Sequence, residues 1–342
     1  MDKGYSFMNP LFTIIIPHKC IPKLLERCLN SIPVRRDVQV IVVDDNSDPS
    51  KEVVYPELVE AYPHVQWVWA KNEGGRRGAG YARNLGMKQA AGRWLLFADA
   101  DDIYTNEFLS ILDAYADSDA DIVYFYPTSV DTCGIQLGTR HISYETILEE
   151  ARKKEDNSLL LKMYTPTCKL IKHGLVSTHG IQFSETLVTN DVLFSTMCQR
   201  FSEREIIDSR IGYCITTRSG SLHTKRDVQS ARERFFIHCQ AMNFLRETGE
   251  EAYRRDGSPF SRYLAILVYH PIAAIRLFPE FMTTINMYGI AASVRHIISP
   301  IKKRWMLYFV TPVKKHFRIN SRVTHIRNES TEIRTESEVP EG

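Results

Sequence analysis

Residues 92–104, GRWLLFADADDIY, place three carboxylates, Asp99, Asp101 and Asp102, at the abrupt end of an apolar run. A run of that kind, here 94–98, makes a strand buried on both faces, so the acids stand where a core strand stops. In extended backbone Asp99 and Asp101 would point to one side, where their repulsion is costly unless a cation holds them. A hard divalent ion with oxygen ligands meets that need, Mg²⁺ or Mn²⁺ completed by substrate phosphates. The competing reading is an Asp-rich turn capping a helix that begins near Ile103, because Asp is a favoured N-cap.

Other polar groups follow other apolar runs. Pro17, His18 and Lys19 come after 12–16, and Asp44, Asp45 and Asn46 after 38–43. The loop 71–86, KNEGGRRGAGYARNLG, combines glycines, which allow close backbone approach, with Arg76, Arg77 and Arg83, which can reach a diphosphate. For Arg76 and Arg77 a solvated helix start is an equal alternative. Gly78-Ala79-Gly80 ahead of a helix also has the outline of a dinucleotide fingerprint. Arg83 takes the place of its third glycine, and the loop follows the third strand instead of the first, which argues against a dinucleotide-dependent oxidoreductase.

The elements that must position these groups alternate. Strands are expected over 12–16, 38–43, 65–70, 94–98 and 121–126, and helices over 21–32, 51–62 and 79–91. The first helix carries Leu24, Leu25, Cys28 and Leu29 on one side. Alternation of this kind predicts an α/β fold with a mostly parallel sheet covered on both faces. Ligands of such sheets bind beyond the carboxyl ends of the strands, where all these polar clusters lie.

At 342 residues, 44% hydrophobic and 25% charged, the chain has the composition of a soluble globular protein with one large domain or a domain plus helical appendage. Its seven cysteines are scattered and include no C-x-x-C pair, which predicts neither a zinc site nor a disulfide framework and suits a cytoplasmic location. Residues 1–10 show no signal-peptide pattern, and no uncharged apolar run reaches about eighteen residues. Helices are expected over 231–248 and 261–277, the second interrupted by Pro271. The net charge of +2 hides an asymmetry: 281–328 holds nine Lys or Arg and no acid. Within it, 295–318 mixes Trp305, Leu307, Tyr308 and Phe309 with Lys302, Lys303, Arg304, Lys314 and Lys315, a pattern for peripheral contact with an anionic leaflet or for a solvated helix. The slightly acidic remainder argues against nucleic acid as a partner. The tail 329–342, with five Glu against one Arg, reads as disordered.

The segments FTIIIPHK, VIVVDDNSD and GAGYARNLGMKQAAGRWLLFADADD, in this order and spacing, resemble the nucleotide-sugar half of a family 2 glycosyltransferase of the GT-A fold. CKLIKHGLVSTHGIQFSE, NDVLF and TTRSGSL are similar to that family's acceptor half. The resemblance implies a Rossmann-like, mostly parallel central sheet flanked by helices. Covering roughly residues 10–220, it implies a GT-A domain over 1–225 (nucleotide-sugar half 10–125, acceptor half 126–225), which the pattern and charge of the later residues follow with a helical basic extension over 226–328 and the acidic tail. It also implies site residues. Asp45 resembles the residue that hydrogen-bonds the base, usually uracil, and Asp101 the ligand of Mn²⁺ or Mg²⁺. Asp99 falls towards the ribose or sugar, with Pro17, His18, Lys19, Gly80 and Arg83 also in the nucleotide-sugar site. Asp191 resembles the base that deprotonates the acceptor hydroxyl. Where the family usually has Tyr-Asn this chain has Lys19-Cys20, so the aromatic that would stack on the base is missing.

The chemistry fits these residue types. A diphosphate leaves slowly unless its developing charge is neutralised, and a hydroxyl is a poor nucleophile unless a carboxylate takes its proton. Asp191 follows the Ser/Thr-rich loop 184–190 and precedes VLFSTMCQRF, where capping that helix is the competing role. The expected activity is inverting transfer of a sugar from a nucleotide donor, a UDP-sugar favoured, to a glycan or lipid-linked acceptor. A metal-dependent nucleotidyltransferase would share the sheet and the acidic site, and a non-catalytic nucleotide-sugar binder would keep Asp45 and Asp101.

Overall fold

The computed structural model describes residues 10–47, 55–70, 78–131, 134, 137–217, 227–249 and 258–288. The three runs with polar groups at their ends become strands β1 (Phe12–His18), β2 (Val38–Asp44) and β4 (Trp94–Phe97), every residue of β1, β2 and β4 buried. With β3 (Val65–Trp69), they pair in parallel in the order β3-β2-β1-β4. The connecting helices are α1 (Pro22–Asn30), α2 (Tyr55–Ala61) and α3 (Ala79–Met87). Pro22 begins α1, where a missing N–H costs nothing, and Leu25, Cys28 and Leu29 are its buried face.

The second half of the sheet is mixed. β6 (Ile122–Asp131) does not adjoin β4, because β7 (Lys169–Lys172) lies between them, antiparallel to both. β6 then pairs in parallel with β8 (Glu205–Thr217), and the two-residue β5 (Ile103–Tyr104) pairs antiparallel with β8 at the far edge. No helix begins at Ile103; α4 spans Glu107–Tyr115. Asp102 explains the difference, because its carboxylate accepts the N–H of Thr216 at 2.7 Å and draws the following residues into the ladder with β8.

Helices α5 (Ile142–Lys154), α6 (His173–Thr178) and α7 (Val192–Phe201) complete this half. α8 (Val228–Glu247) is capped by Asp227, whose carboxylate takes both the N–H and the hydroxyl of Ser230. α9 (Ser258–Tyr269) and α10 (Pro271–Arg276) break at Pro271 as the sequence predicts, and α11 (Phe278–Tyr288) follows. The chain divides into two compact units, residues 1–281 and 282–342, the second described only over 282–288. The segment 295–318, the acidic tail, and Arg76 and Arg77 lie outside the described residues. No described helix is long and apolar enough to cross a membrane.

Candidate active site

A turn at the end of β4, not extended backbone, gathers the three acids: the N–H of Asp102 closes back on the carbonyl of Asp99 at 3.0 Å. Carboxylate oxygens of Asp99, Asp101 and Asp102 then fall within 4.8 Å of one another. The turn is fixed from several sides. Asp99 N–H donates to the Tyr213 hydroxyl (2.9 Å), Arg27 donates to the Asp101 carbonyl (2.7 Å) and the Cys28 thiol reaches the Asp99 carbonyl at 3.7 Å. Tyr213 in turn bonds the Asp102 carboxylate. Asp102 is buried, and burial, reinforced by the charges of Asp99 and Asp101, pushes its carboxyl well above the usual range. A hard cation with oxygen ligands fits this donor set, because it would offset the repulsion the turn imposes. Asp102 has a structural share in the turn, and no local feature of the sequence separates it from its neighbours in this.

At the parallel ends of β1 and β2, His18 is buried. Its Nε2 accepts the N–H of Ile21 at 3.1 Å, which leaves the proton on Nδ1 to bond Asp44 at 3.2 Å. Asp44 also takes the N–H (2.7 Å) and hydroxyl (2.5 Å) of Ser47. His18 and Asp44 thus clip the two strand ends together. Lys19, half-exposed, donates to the carbonyl of Asp45 (2.8 Å) and pairs with its carboxylate (3.5 Å). At the position where the sequence lacks the aromatic usual in the resembled family, the chain has a cation tied to Asp45. The Asp45 carboxylate also accepts the N–H of Gly78 on both oxygens, at 3.1 and 3.0 Å, and so anchors the start of α3.

From α3, Arg83 spans two parts of the site. One guanidinium nitrogen meets Asp99 at 2.6 Å, another donates to Asn190 at 2.8 Å, and the group lies over the Phe183 ring. Arg83 therefore connects the acidic turn to the residue before Asp191. Its neighbour Asn84 pairs with the backbone of Phe183 in both directions, at 2.8 and 3.0 Å. On the other side of the loop, Glu233 of α8 accepts the N–H groups of Leu187 (3.1 Å) and Val188 (3.4 Å). Neither contact of Asn84 nor that of Glu233 was foreseen, and Glu233 makes α8 part of the scaffold of the site.

Gly80 has a specific reason to be glycine. A Cβ there would come within 2.1 Å of the Ser184 carbonyl and 2.9 Å of Asn190 Cβ. The close approach is to the loop that carries Asp191. Gly80→Ala is therefore expected to lose about 1–3 kcal/mol of stability and to depress transfer by displacing Asn190. Melting temperature and turnover both equal to the parent's would refute this packing role.

Asp191 occupies the N-cap position of α7, yet its carboxylate makes no capping hydrogen bond; only its backbone carbonyl engages the helix, through Ser195 N–H at 2.9 Å. Burial raises its pKa, with Asp99 adding to the rise and Arg83 and Lys169 opposing it. Lys169 is itself buried in β7, donating to the Met163 carbonyl at 2.6 Å and lying over the Tyr124 ring. Burial lowers its pKa to about 8. A carboxylate with a raised pKa, one residue from the Asn190 that Arg83 links to Asp99, is a candidate general base.

A GT-A-like sheet with acids at the end of β4 and a further acid at the head of α7 defines a class. Residues 13–180 match the model of Glycosyl transferase family 2, and the chain belongs to that family and is a glycosyltransferase. The matched span holds every donor-side candidate but stops before Asp191. Glycosyltransferase GlyG of Streptococcus pneumoniae is 25% identical over 244 residues, 66% of this chain and 77% of that one. Poly(ribitol-phosphate) beta-N-acetylglucosaminyltransferase TarS of Staphylococcus aureus is 26% identical over 71% of this chain, which spans only 42% of TarS. In fold, the chain is similar to the crystal structure of TarS residues 1–349 in complex with UDP-GlcNAc (TM-score 0.58, 21% identity, 75% of this chain and 73% of that one). It is also similar to the mannosyltransferase PcManGT of Pyrobaculum calidifontis in complex with GDP-Man and Mn²⁺ (TM-score 0.51, 18% identity, 84% and 87% covered).

Proposed function

We propose that this glycosyltransferase moves a sugar from a UDP-linked donor, with inversion, to a hydroxyl of a glycan or lipid-linked acceptor in cell-surface polysaccharide synthesis. The observation that supports the reading is the run of side-chain contacts from Asp99 of the acidic turn through Arg83 to Asn190, the residue before the candidate base Asp191. UDP is favoured because the TarS structure of similar fold holds UDP-GlcNAc. Polysaccharide synthesis is favoured by the name of TarS and by that of a second relative, the minor teichoic acid biosynthesis protein GgaB of Bacillus subtilis, 30% identical over 99 residues.

In this reading Asp45 accepts from the base, and Pro17, His18 and Lys19 shape the floor and rim around it. Asp101, with Asp99 and Asp102 beside it, holds a divalent ion, Mn²⁺ being favoured by the PcManGT complex. When bound, that ion offsets the charge growing on the departing diphosphate. Arg83 holds Asp99 in place and keeps the loop of Asp191 against the donor side. Asp191 takes the proton of the acceptor hydroxyl as the glycosidic bond forms. The basic segment 295–318 keeps the enzyme at the inner face of an anionic membrane, close to a lipid-linked acceptor.

A panel of nucleotide sugars tests the donor. A UDP-sugar with Mn²⁺ at about a hundred times its Kd is expected to raise the melting temperature by roughly 5 °C, and other nucleotide sugars to leave it unchanged. Preference for a GDP-sugar would refute the UDP assignment. Release of pyrophosphate from UTP and a sugar phosphate would replace sugar transfer by nucleotidyl transfer.

A further inference from the structure

Helices α9 and α10 have an inner face that is fully accounted for. Tyr263, Ile266, Ala274 and Leu277 are buried with Phe235 of α8, Tyr263 stacks on Phe281 at 3.8 Å, and its hydroxyl donates to the Ala274 carbonyl at 3.0 Å. The outer face should then be polar, as on an ordinary surface helix. Instead Leu264, Leu267, Val268, Ile272, Ile275 and Phe278 are exposed, with Val268 at 72% and both isoleucines at 71%. From Tyr263 to Pro279 the sole charged residue is Arg276. Helices apolar all round call for a non-aqueous neighbour on the second side. α9, at 12 residues, is far too short to cross a bilayer, so such a neighbour can only be met by lying against it.

We propose that the outer face of α9, α10 and the start of α11 inserts into the surface of an anionic phospholipid bilayer. Charge favours lipid over a second copy of the chain: the sequence continuing from this face, 281–328, carries nine Lys or Arg and no acid. Cations next in the chain to an inserting apolar face complement anionic headgroups, whereas two copies brought together would repel. The proposal rests on the membrane-proximal reading of 295–318 and adds to it a specific inserting surface with separate energetics. The basic segment acts through charge and is screened by salt; the face acts through apolar burial and is not.

The test uses the full chain and sedimentation with vesicles of phosphatidylcholine alone or mixed with phosphatidylglycerol. The parent is expected to bind the anionic vesicles and to retain part of that binding in high salt. Ile272→Asp/Ile275→Asp, and separately Val268→Asp, should bind at least about tenfold more weakly, with transfer to a water-soluble acceptor unchanged. Val34→Asp, an exposed position in the nucleotide half, should bind as the parent does. Salt-resistant binding that survives deletion of 295–342 but not the face substitutions supports the face and removes the basic segment from the membrane contact. Binding lost on that deletion but unchanged by the face substitutions overturns the face and leaves the segment. No binding of the parent to either vesicle overturns both, and a dimer that the face substitutions dissociate, without vesicle binding, assigns the face to a second copy instead.

Discussion

Asp101→Asn is expected to abolish sugar transfer and to remove most of the metal-dependent part of donor affinity, because a neutral amide binds a hard cation less well than a carboxylate. The fold should survive the change. Residue 101 serves the turn through its carbonyl, which takes the Arg27 guanidinium at 2.7 Å and is the same in asparagine. Metal-free stability should even rise at neutral pH. Burial and the charges of Asp99 and Asp101 raise the pKa of Asp102 in the folded state, so ionised Asp102 costs stability once the pH exceeds its unfolded value. Removing one of those charges reduces the cost. Thermal melts in EDTA at neutral pH should therefore place the variant at or above the parent, while Mn²⁺ with donor stabilises only the parent. Full activity of the variant, or of the parent in EDTA, would refute a metal held at Asp101.

The parallel half of the sheet was legible because β1, β2 and β4 are largely apolar runs with polar or acidic groups at their ends, a local signal. The ends of β1 and β2 extend further than the apolar runs because Pro17 and His18 pair with Val43 and Asp44. That extension is stabilised by the hydrogen bond of His18 to Asp44, 26 residues away, which no window of sequence contains. The failed helix at Ile103 has the same origin. Asp followed by Ile and Tyr is a fair helix start, and the contact that overrules it is with Thr216, 114 residues later. Arg83 and Gly80 were found for the phosphates, yet their visible contacts are to Asp99, Asn190 and Ser184. Arg27, Tyr213 and Glu233 carry no local signal. Lys169 did carry one, since a lysine in the apolar run CKLIKH is a charge inside a core strand and such a charge needs a reason.

Asp191→Asn should bind donor and metal as the parent does, and transfer should fall by about 10²- to 10⁴-fold, the usual worth of general-base catalysis. Stability should change little, because the Asp191 carboxylate makes no capping hydrogen bond to α7. The pH profile separates a base from a merely structural acid. Burial raises the pKa of Asp191 from its ordinary value, and the base is active only when ionised, so the rate should fall as the pH drops through that raised pKa. Lys169 opposes the rise, so Lys169→Met should carry the acid limb to higher pH while leaving the donor side untouched. In Asp191→Asn the limb should vanish along with the rate. The same mechanism fixes stereochemistry: one base and one displacement invert the anomeric centre, so an α-linked donor gives a β-linked product. A near-parent rate for Asp191→Asn would remove the base assignment, and a retained configuration in the parent's product would remove the single displacement itself.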